Sequence, residues 1–315
     1  MPRIGKVSGS SIPPLHTATY RRVQDEVTQG HPQRQHLYEE IEAAFKKKRK
    51  VVTFCTSFVF PVIMEDRDAD IIEEVLQNTD LDGKELLLIL NTPGGDALTA
   101  ERIVNICRSY SDGGRFSVIV PKMAKSAGTM VCFGAYEIGM SPTSELGPID
   151  PQIPIFDDDG NLINYLAAHE IIESYEKLMT QANKTKGRLE PYLEQLQRFD
   201  AREIRRIRSS QELSESVAIN CVQTEHFKGM RSSQIKTKIA PFLDPKYTKV
   251  HGRPIYHDVA KRCGLNVKTY PLKAKLWQAV WNLYVRLDHV LSTHVAKVVE
   301  SATDSYNMMV ARRPI

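Results

Sequence analysis

Leu86 to Leu90 form an unbroken apolar run, "LLLIL", which stops at "NTPGG", Asn91 to Gly95. A run of that length without alternation suits a strand covered on both faces, as in a parallel sheet between helix layers. Beyond the two glycines, Leu98, Ile103, Val104 and Cys107 recur at helical spacing. The pattern then repeats: "GGRFSVIVP" reads as a second buried strand, and "SAGTMVCFGA" (Ser126 to Ala135) as a second helix entered through small residues. Strand, small-residue turn and helix, twice over, predict repeated βαβ units and an α/β fold with a mainly parallel sheet.

The surrounding chain is read around that core. Residues 1–22 are expected to be a flexible arm, and 23–50 a helix with Leu37, Ile41, Ala44 and Phe45 on one face. "VVTFCT" (Val51 to Thr56) reads as a strand, and "DRDADIIEEVLQNTD" as a helix with an aspartate at its cap. The core domain is expected over 23–268, with a charged helical insert over about 161–230 after the acidic turn Asp157 to Gly160. Residues 269–315 are read as a helical C-terminal extension. Its stripe of Leu276, Val280, Leu283, Leu287 and Leu291, flanked by Trp277, Trp281 and Tyr284, is a candidate subunit contact.

Bulk properties exclude several classes. A net charge of +4 is too mild to argue for a nucleic-acid partner, and "KKKRK" (Lys46 to Lys50) reads first as a solvated helix end. The five cysteines are widely spaced without a CxxC pair, so reduced, buried thiols and a cytoplasmic setting are expected. The most apolar window, Val51 to Met64, is short for a membrane span, and the first residues hold no secretory signal. No HExxH or His/Cys cluster suggests a metal, no nucleotide motif is present, and no cofactor is expected.

Both turns emerge at the carboxyl ends of parallel strands, where open α/β folds place their ligands. Gly94 and Gly95 precede one helix, and Ser126 opens the next. A hydroxyl flanked by convergent backbone N–H groups is what acyl transfer requires: an attacking oxygen and a cradle for the oxyanion. Spacing alone leaves alternatives open, namely Ser126 as a simple N-cap and Gly94-Gly95 as a tight turn or a phosphate cradle.

"LLLILNTPGGDALTAERIVNICR", followed by "VIVPKMAKSAGTMVCFGAYEIGMSPTSELGPIDPQI", resembles the serine dehydrogenase proteinase family. That family belongs to the Clp protease–crotonase superfamily, beside the signal peptide peptidase A enzymes. The resemblance spans roughly Val51 to Asn266, and "HGRPIYHDVAKRCGLNV" is similar to the helix that precedes the last strand in those peptidases. It implies a Clp/crotonase-like core, a serine peptidase that needs no ATP and acts on peptides or unfolded segments, and a homo-oligomer enclosing its site. Carried over by motif, Ser126 matches the nucleophile, and Gly95 and Ala127 match the oxyanion hole, with Gly94 beside them.

The general base is less direct. Clp-type triads carry a histidine in the loop that here reads "GPIDPQ", so Asp150 stands there instead. Signal-peptide-peptidase-like members use a Ser–Lys dyad, which makes Lys177 the first candidate, with Lys184 and Lys186 as neighbours. A catalytic lysine must be largely desolvated so that it is neutral; Ile171, Ile172, Leu178 and Met179 are the expected cover. Lys122 and Lys125 are expected to point outward, His169 to lie on the surface, and His251 to approach from another segment. A non-catalytic scaffold and a crotonase-type acyl-CoA enzyme are the alternatives.

Overall fold

The computed structural model describes residues 30–309 except 47, 60, 61, 158, 161 and 249. The arm expected over 1–22 and the start of the helix expected from Val23 lie outside the described residues.

A seven-stranded sheet forms the centre. Five strands are parallel: β1 (Arg49–Thr56), β2 (Glu85–Asn91), β3 (Ser117–Val120), β5 (Glu137–Met140) and β9 (Val267–Thr269). β10 (Val295–Ser301) and β11 (Ser305–Met309) close the opposite edge antiparallel, giving the order β11-β10-β1-β2-β3-β5-β9. The short β4 (Met123–Ala124) and β6 (Glu145–Leu146) pair beside the sheet, and β7 (Gln152–Phe156) with β8 (Leu162–Ala167) forms a separate hairpin.

The apolar run of β2 explains itself in this setting. Leu86, Leu88 and Leu90 join one buried cluster, whereas Leu87 and Ile89 join the cluster on the other face. Helices α2 (Asp66–Gln77), α3 (Ala97–Tyr110), α4 (Ala127–Gly134) and the later α7 (Ala201–Glu225) contribute to the first. Helices α1 (Gln35–Ala44) and α8 (Lys275–Leu291) cover the second through Leu37, Tyr38, Ile41, Val280, Leu283 and Leu287. α5 (Ala168–Lys184) and α6 (Glu190–Leu196) follow the hairpin, and short helical segments lie between residues 232 and 262.

Several expectations change. Residues 269–315 are not a helix alone: after α8 the "VAKVVES" segment pairs antiparallel with β1 and completes the sheet. Its burial on both faces was hidden by Lys297 and Glu300, both buried and paired, Lys297 with Asp68 at 2.8 Å and Glu300 with Arg34 at 2.5 Å. The aromatic stripe of α8 is core packing, with Trp277, Leu283, Tyr284 and Leu291 buried in the chain itself. The insert expected to be helical over about 161–230 opens with strand β8, because Leu162 to Ala167 pairs with β7. Ala44 is exposed rather than on the buried face of α1, and the N-cap of α2 is Glu65, whose amide donates to Asp68 at 2.8 Å. The "KKKRK" cluster is split: Arg49 and Lys50 start β1 and are neutralised by Glu85 and Glu42, each at 3.0 Å. All five cysteines are free and buried.

Candidate active site

The two turns meet. Thr92 donates its amide to the Met123 carbonyl at 3.0 Å, and the Lys125 amide donates to the Thr92 carbonyl at 3.0 Å. This laces the "TPGG" turn after β2 to the segment that delivers Ser126 to α4. Gly94 (φ +103) is in the left-handed region and packs on the serine: a Cβ there would stand 2.6 Å from the Lys125 carbonyl oxygen and 2.8 Å from Ser126 Cβ. A Cβ on Gly95 would stand 2.2 Å from the Met64 carbonyl oxygen, because Met64 donates to Gly94 at 2.7 Å and accepts from Asp96 at 3.0 Å. Asp96 caps α3 through Thr99, at 2.7 Å. A Cβ on Gly128 would press on the Thr92 methyl at 2.5 Å. Only residues without side chains let these backbones approach.

Ser126 itself has φ 48 and ψ −117, a conformation that non-glycine residues adopt only when the surroundings impose it. The N-cap alternative is not taken: the Ser126 hydroxyl makes no capping bond and has no hydrogen-bond partner among the described residues. Two backbone donors beside it are also unpaired among the described residues, the amides of Gly95 and of Ala127, the first residue of α4.

Lys125 is buried, not outward as expected. Its ammonium reaches Glu145 at 2.7 Å and the Leu146 carbonyl at 3.2 Å, and its stem crosses Gly147, where a Cβ would lie 2.4 Å from Lys125 Cδ. Lys122 is exposed and sits over the Phe58 ring at 5.5 Å. Thr129 accepts from the Gly147 amide at 3.0 Å and donates to the Ala124 carbonyl at 2.8 Å, so it clamps the β6 loop onto the serine turn.

The lysines of α5 do not join this cluster. Lys177 is 68% exposed at its side chain and bonded to Glu173 at 2.8 Å, one helical turn away. Lys184 and Lys186 are exposed as well. The expected cover fails because Ile171, Ile172 and Leu178 are only half-buried and Met179 is exposed. Within this chain Lys177 lacks the desolvation that a neutral amine needs.

The structure instead brings together Asp150 and His251, two candidates read separately and 101 residues apart. The Nδ1–H of His251 donates to Asp150 Oδ1, and Gln152 donates to Asp150 Oδ2 at 3.2 Å. His169 is half-buried rather than on the open surface, with Nδ1 3.9 Å from Asp150 Oδ2. Among the described residues no group of three or more His, Cys, Asp or Glu side chains is placed to hold a metal ion. The sequence offers no local signal for the pair, since the register that joins its members is set by folding.

A strained serine at a strand-to-helix elbow thus packs against a di-glycine turn in a mainly parallel α/β core. Residues 41–186, a little under half of the chain, match the sequence model of the ClpP-like SDH-type serine proteinases. Two relatives come from Methanocaldococcus jannaschii. Uncharacterized protein MJ1495 is 36% identical over 83 residues, covering 26% of this chain and 28% of its own length. Uncharacterized protein MJ0137 is 40% identical over 70 residues, covering 22% and 24%. The chain thus spans about a quarter of the length of the curated relatives it matches. Among solved structures, the S97A mutant of the membrane-bound stomatin-specific protease 1510-N is similar at 15% identity and a TM-score of 0.36, over 66% of this chain and 75% of that one. That likeness is too loose to carry an argument. No helix among the described residues is long and apolar enough to cross a membrane.

Proposed function

We propose that this chain is a serine peptidase that cleaves peptide bonds in peptides or unfolded segments without ATP. Ser126 is the nucleophile, and the amides of Gly95 and Ala127 receive the oxyanion. One observation carries the reading: a serine held at φ 48 with an unbonded hydroxyl, beside two unpaired amides. Strain of this kind, of order 1–3 kcal/mol, persists only where the surroundings over-determine it, and such residues cluster at active sites. Pre-aimed donors then stabilise charge as it develops on the attacked carbonyl, each contributing about 10²–10³ in rate. Gly94 and Gly95 serve this role by having no side chain: anything larger would displace the amides. An assembly of several copies that encloses the site is part of this reading, and a monomer by light scattering removes that part.

The test is labelling by a fluorophosphonate probe together with cleavage of an unstructured peptide library. The wild type is expected to be labelled and active, and Ser126→Ala to lose both while keeping its circular dichroism spectrum. Labelling that persists in the variant overturns the assignment. One observation favours a non-catalytic scaffold: no basic group is bonded to the Ser126 hydroxyl among the described residues. An unlabelled wild type would support that reading instead.

A further inference from the structure

Resting on the serine reading above, the geometry points to the Asp150–His251 pair as the base that activates Ser126, in place of a lysine. The argument runs through register. Ala124 of β4 pairs in parallel with Leu146 of β6, and Leu146 pairs antiparallel with Ile255, exchanging two backbone hydrogen bonds of 2.9 Å. Three chain segments therefore lie side by side, each about 4.8 Å from the next. Ser126 leaves this ladder two residues after Ala124, and Asp150 four residues after Leu146. His251 lies four residues before Ile255, but on an antiparallel segment, so it projects from the same end.

The loop between is anchored to the serine turn at both Lys125 and Thr129. Gly147 lies against the Lys125 side chain and bonds to Thr129 at 3.0 Å. Asp150 is three residues further, at most about 10 Å of chain.

The chemistry of the pair suits the role. With Nδ1 committed to Asp150, Nε2 is the ring nitrogen left to exchange a proton with the serine. The carboxylate is nearly buried, at 11% side-chain exposure, while the imidazole is 28% exposed and so has one face open. Nε2 has no partner among the described residues. Lys177 has the opposite profile, with its ammonium committed to Glu173. In unliganded sites the base–nucleophile bond is often long and tightens when substrate closes on it.

In the step this assigns, the proton of the Ser126 hydroxyl passes to His251 Nε2 as the Oγ–C bond forms. The carbonyl π pair moves onto oxygen, facing the Gly95 and Ala127 amides. Collapse restores the C=O and breaks the C–N bond, and His251 gives its proton to the departing amine. Water then attacks the acyl-serine, handing a proton to His251, and release of the acid returns that proton to Ser126. Asp150 is a positioning residue that orients the ring.

The experiment compares His251→Gln, Asp150→Asn, His169→Gln and Lys177→Ala in the full chain. It uses the rate of fluorophosphonate labelling, and kcat and KM for an activated ester. His251→Gln is expected to lower labelling and kcat by about 10²–10⁴-fold with KM little changed. Asp150→Asn should reduce kcat by about ten-fold or more, again at constant KM, and imidazole in the buffer should partly restore a folded His251→Ala. If His251→Gln and Asp150→Asn both stay within about three-fold of wild type, the inference is overturned. It is equally overturned if the large loss falls on Lys177→Ala or His169→Gln. Should the variants unfold, modification of the wild type by diethyl pyrocarbonate decides: acylation mapped to His251 without loss of labelling rejects the assignment, and loss that tracks it supports the pair. Ser126→Ala separates the two levels. If it abolishes labelling while His251→Gln does not, the serine stands and the base falls; if it changes nothing, both fall.

Discussion

Two regions of the chain follow opposite rules. Around Ser126, residues 127–135 are all buried, together with Ala124 and Lys125, and glycines admit backbones to within side-chain distance. Across residues 152–200, by contrast, Ala167 and Ala168 are the only buried residues among those whose side chains are described. There the hairpin and the two following helices expose Ile163, Tyr165, Leu166, Met179, Leu189 and Leu193. The contrast teaches where chemistry can be held in a single chain. A nucleophile needs a geometry that its neighbours cannot relax, and dense packing supplies this; an exposed helix cannot supply the dry surroundings a neutral lysine requires.

The largest effect that sharpens this comparison comes from matched glycine substitutions. At Gly94, a methyl would strike the Lys125 carbonyl oxygen and Ser126 at 2.6 and 2.8 Å, with backbone as the obstacle. Gly94→Ala is expected to lower kcat by more than about 100-fold, because displacing the turn moves at least one oxyanion donor. At Gly160 (φ +79), in the hairpin turn, a Cβ meets nothing within 4 Å. Gly160→Ala should cost about 1 kcal/mol from the left-handed backbone alone and leave kcat unchanged. Equal losses of activity in the two variants would erase the distinction.

A matched leucine pair tests packing next. Leu88 is fully buried in the centre of β2, whereas Leu193 on α6 is 52% exposed. Leu88→Ala is expected to cost about 2–5 kcal/mol in urea unfolding, and Leu193→Ala about 0.5 kcal/mol or less. If Leu193→Ala proves as costly as Leu88→Ala, something covers α6, and the concentration dependence of Tm would reveal a second copy.

The packed region also predicts a pH dependence. His226, at the end of α7, accepts the Asn266 amide at 3.0 Å, and burial pushes its pKa down to about 4. In the unfolded chain the imidazole titrates near 6.5. The depressed folded value means that this contribution to stability is full above about 6.5 and lost as pH falls towards 4. The drop is bounded at roughly 3–4 kcal/mol, from some 2.5 pH units at 1.36 kcal/mol each. Comparing Tm at pH 7 and pH 5 checks this: His226→Gln should flatten the dependence, and a slope unchanged by the substitution would remove His226 as its source.

Legibility divides along the same line. β2, β3 and the helices after them were readable because their periodicity reflects burial by nearby sequence. The serine elbow was readable because small residues have few other reasons to gather at such a turn. β10 was not, because Lys297 and Glu300 look like surface residues until Asp68 and Arg34, more than 200 residues away, are placed against them. The Asp150–His251 contact is of the same kind, set by the Leu146–Ile255 pairing and invisible to any local window. β8 was not legible because Ile163, Tyr165 and Leu166 are all exposed, so burial left no alternation there to detect.

The smallest expected effect is the most discriminating between the two regions. Lys177 and Glu173 form an exposed ion pair one turn apart on α5, solvent-screened and of little weight in stability. Lys177→Ala is therefore expected to leave Tm within about 2 °C and kcat within about two-fold. For the lysine to act on Ser126, its ammonium would have to leave Glu173 and lose most of its water. That happens only if α5 folds over the serine turn or another chain packs on it. A large loss of kcat in Lys177→Ala, strengthening as protein concentration rises through assembly, would mean that the exposed α5 is completed by a neighbouring copy and that the single chain holds only half of the site. An unchanged kcat at every concentration leaves the packed region as the place where the serine must find its base.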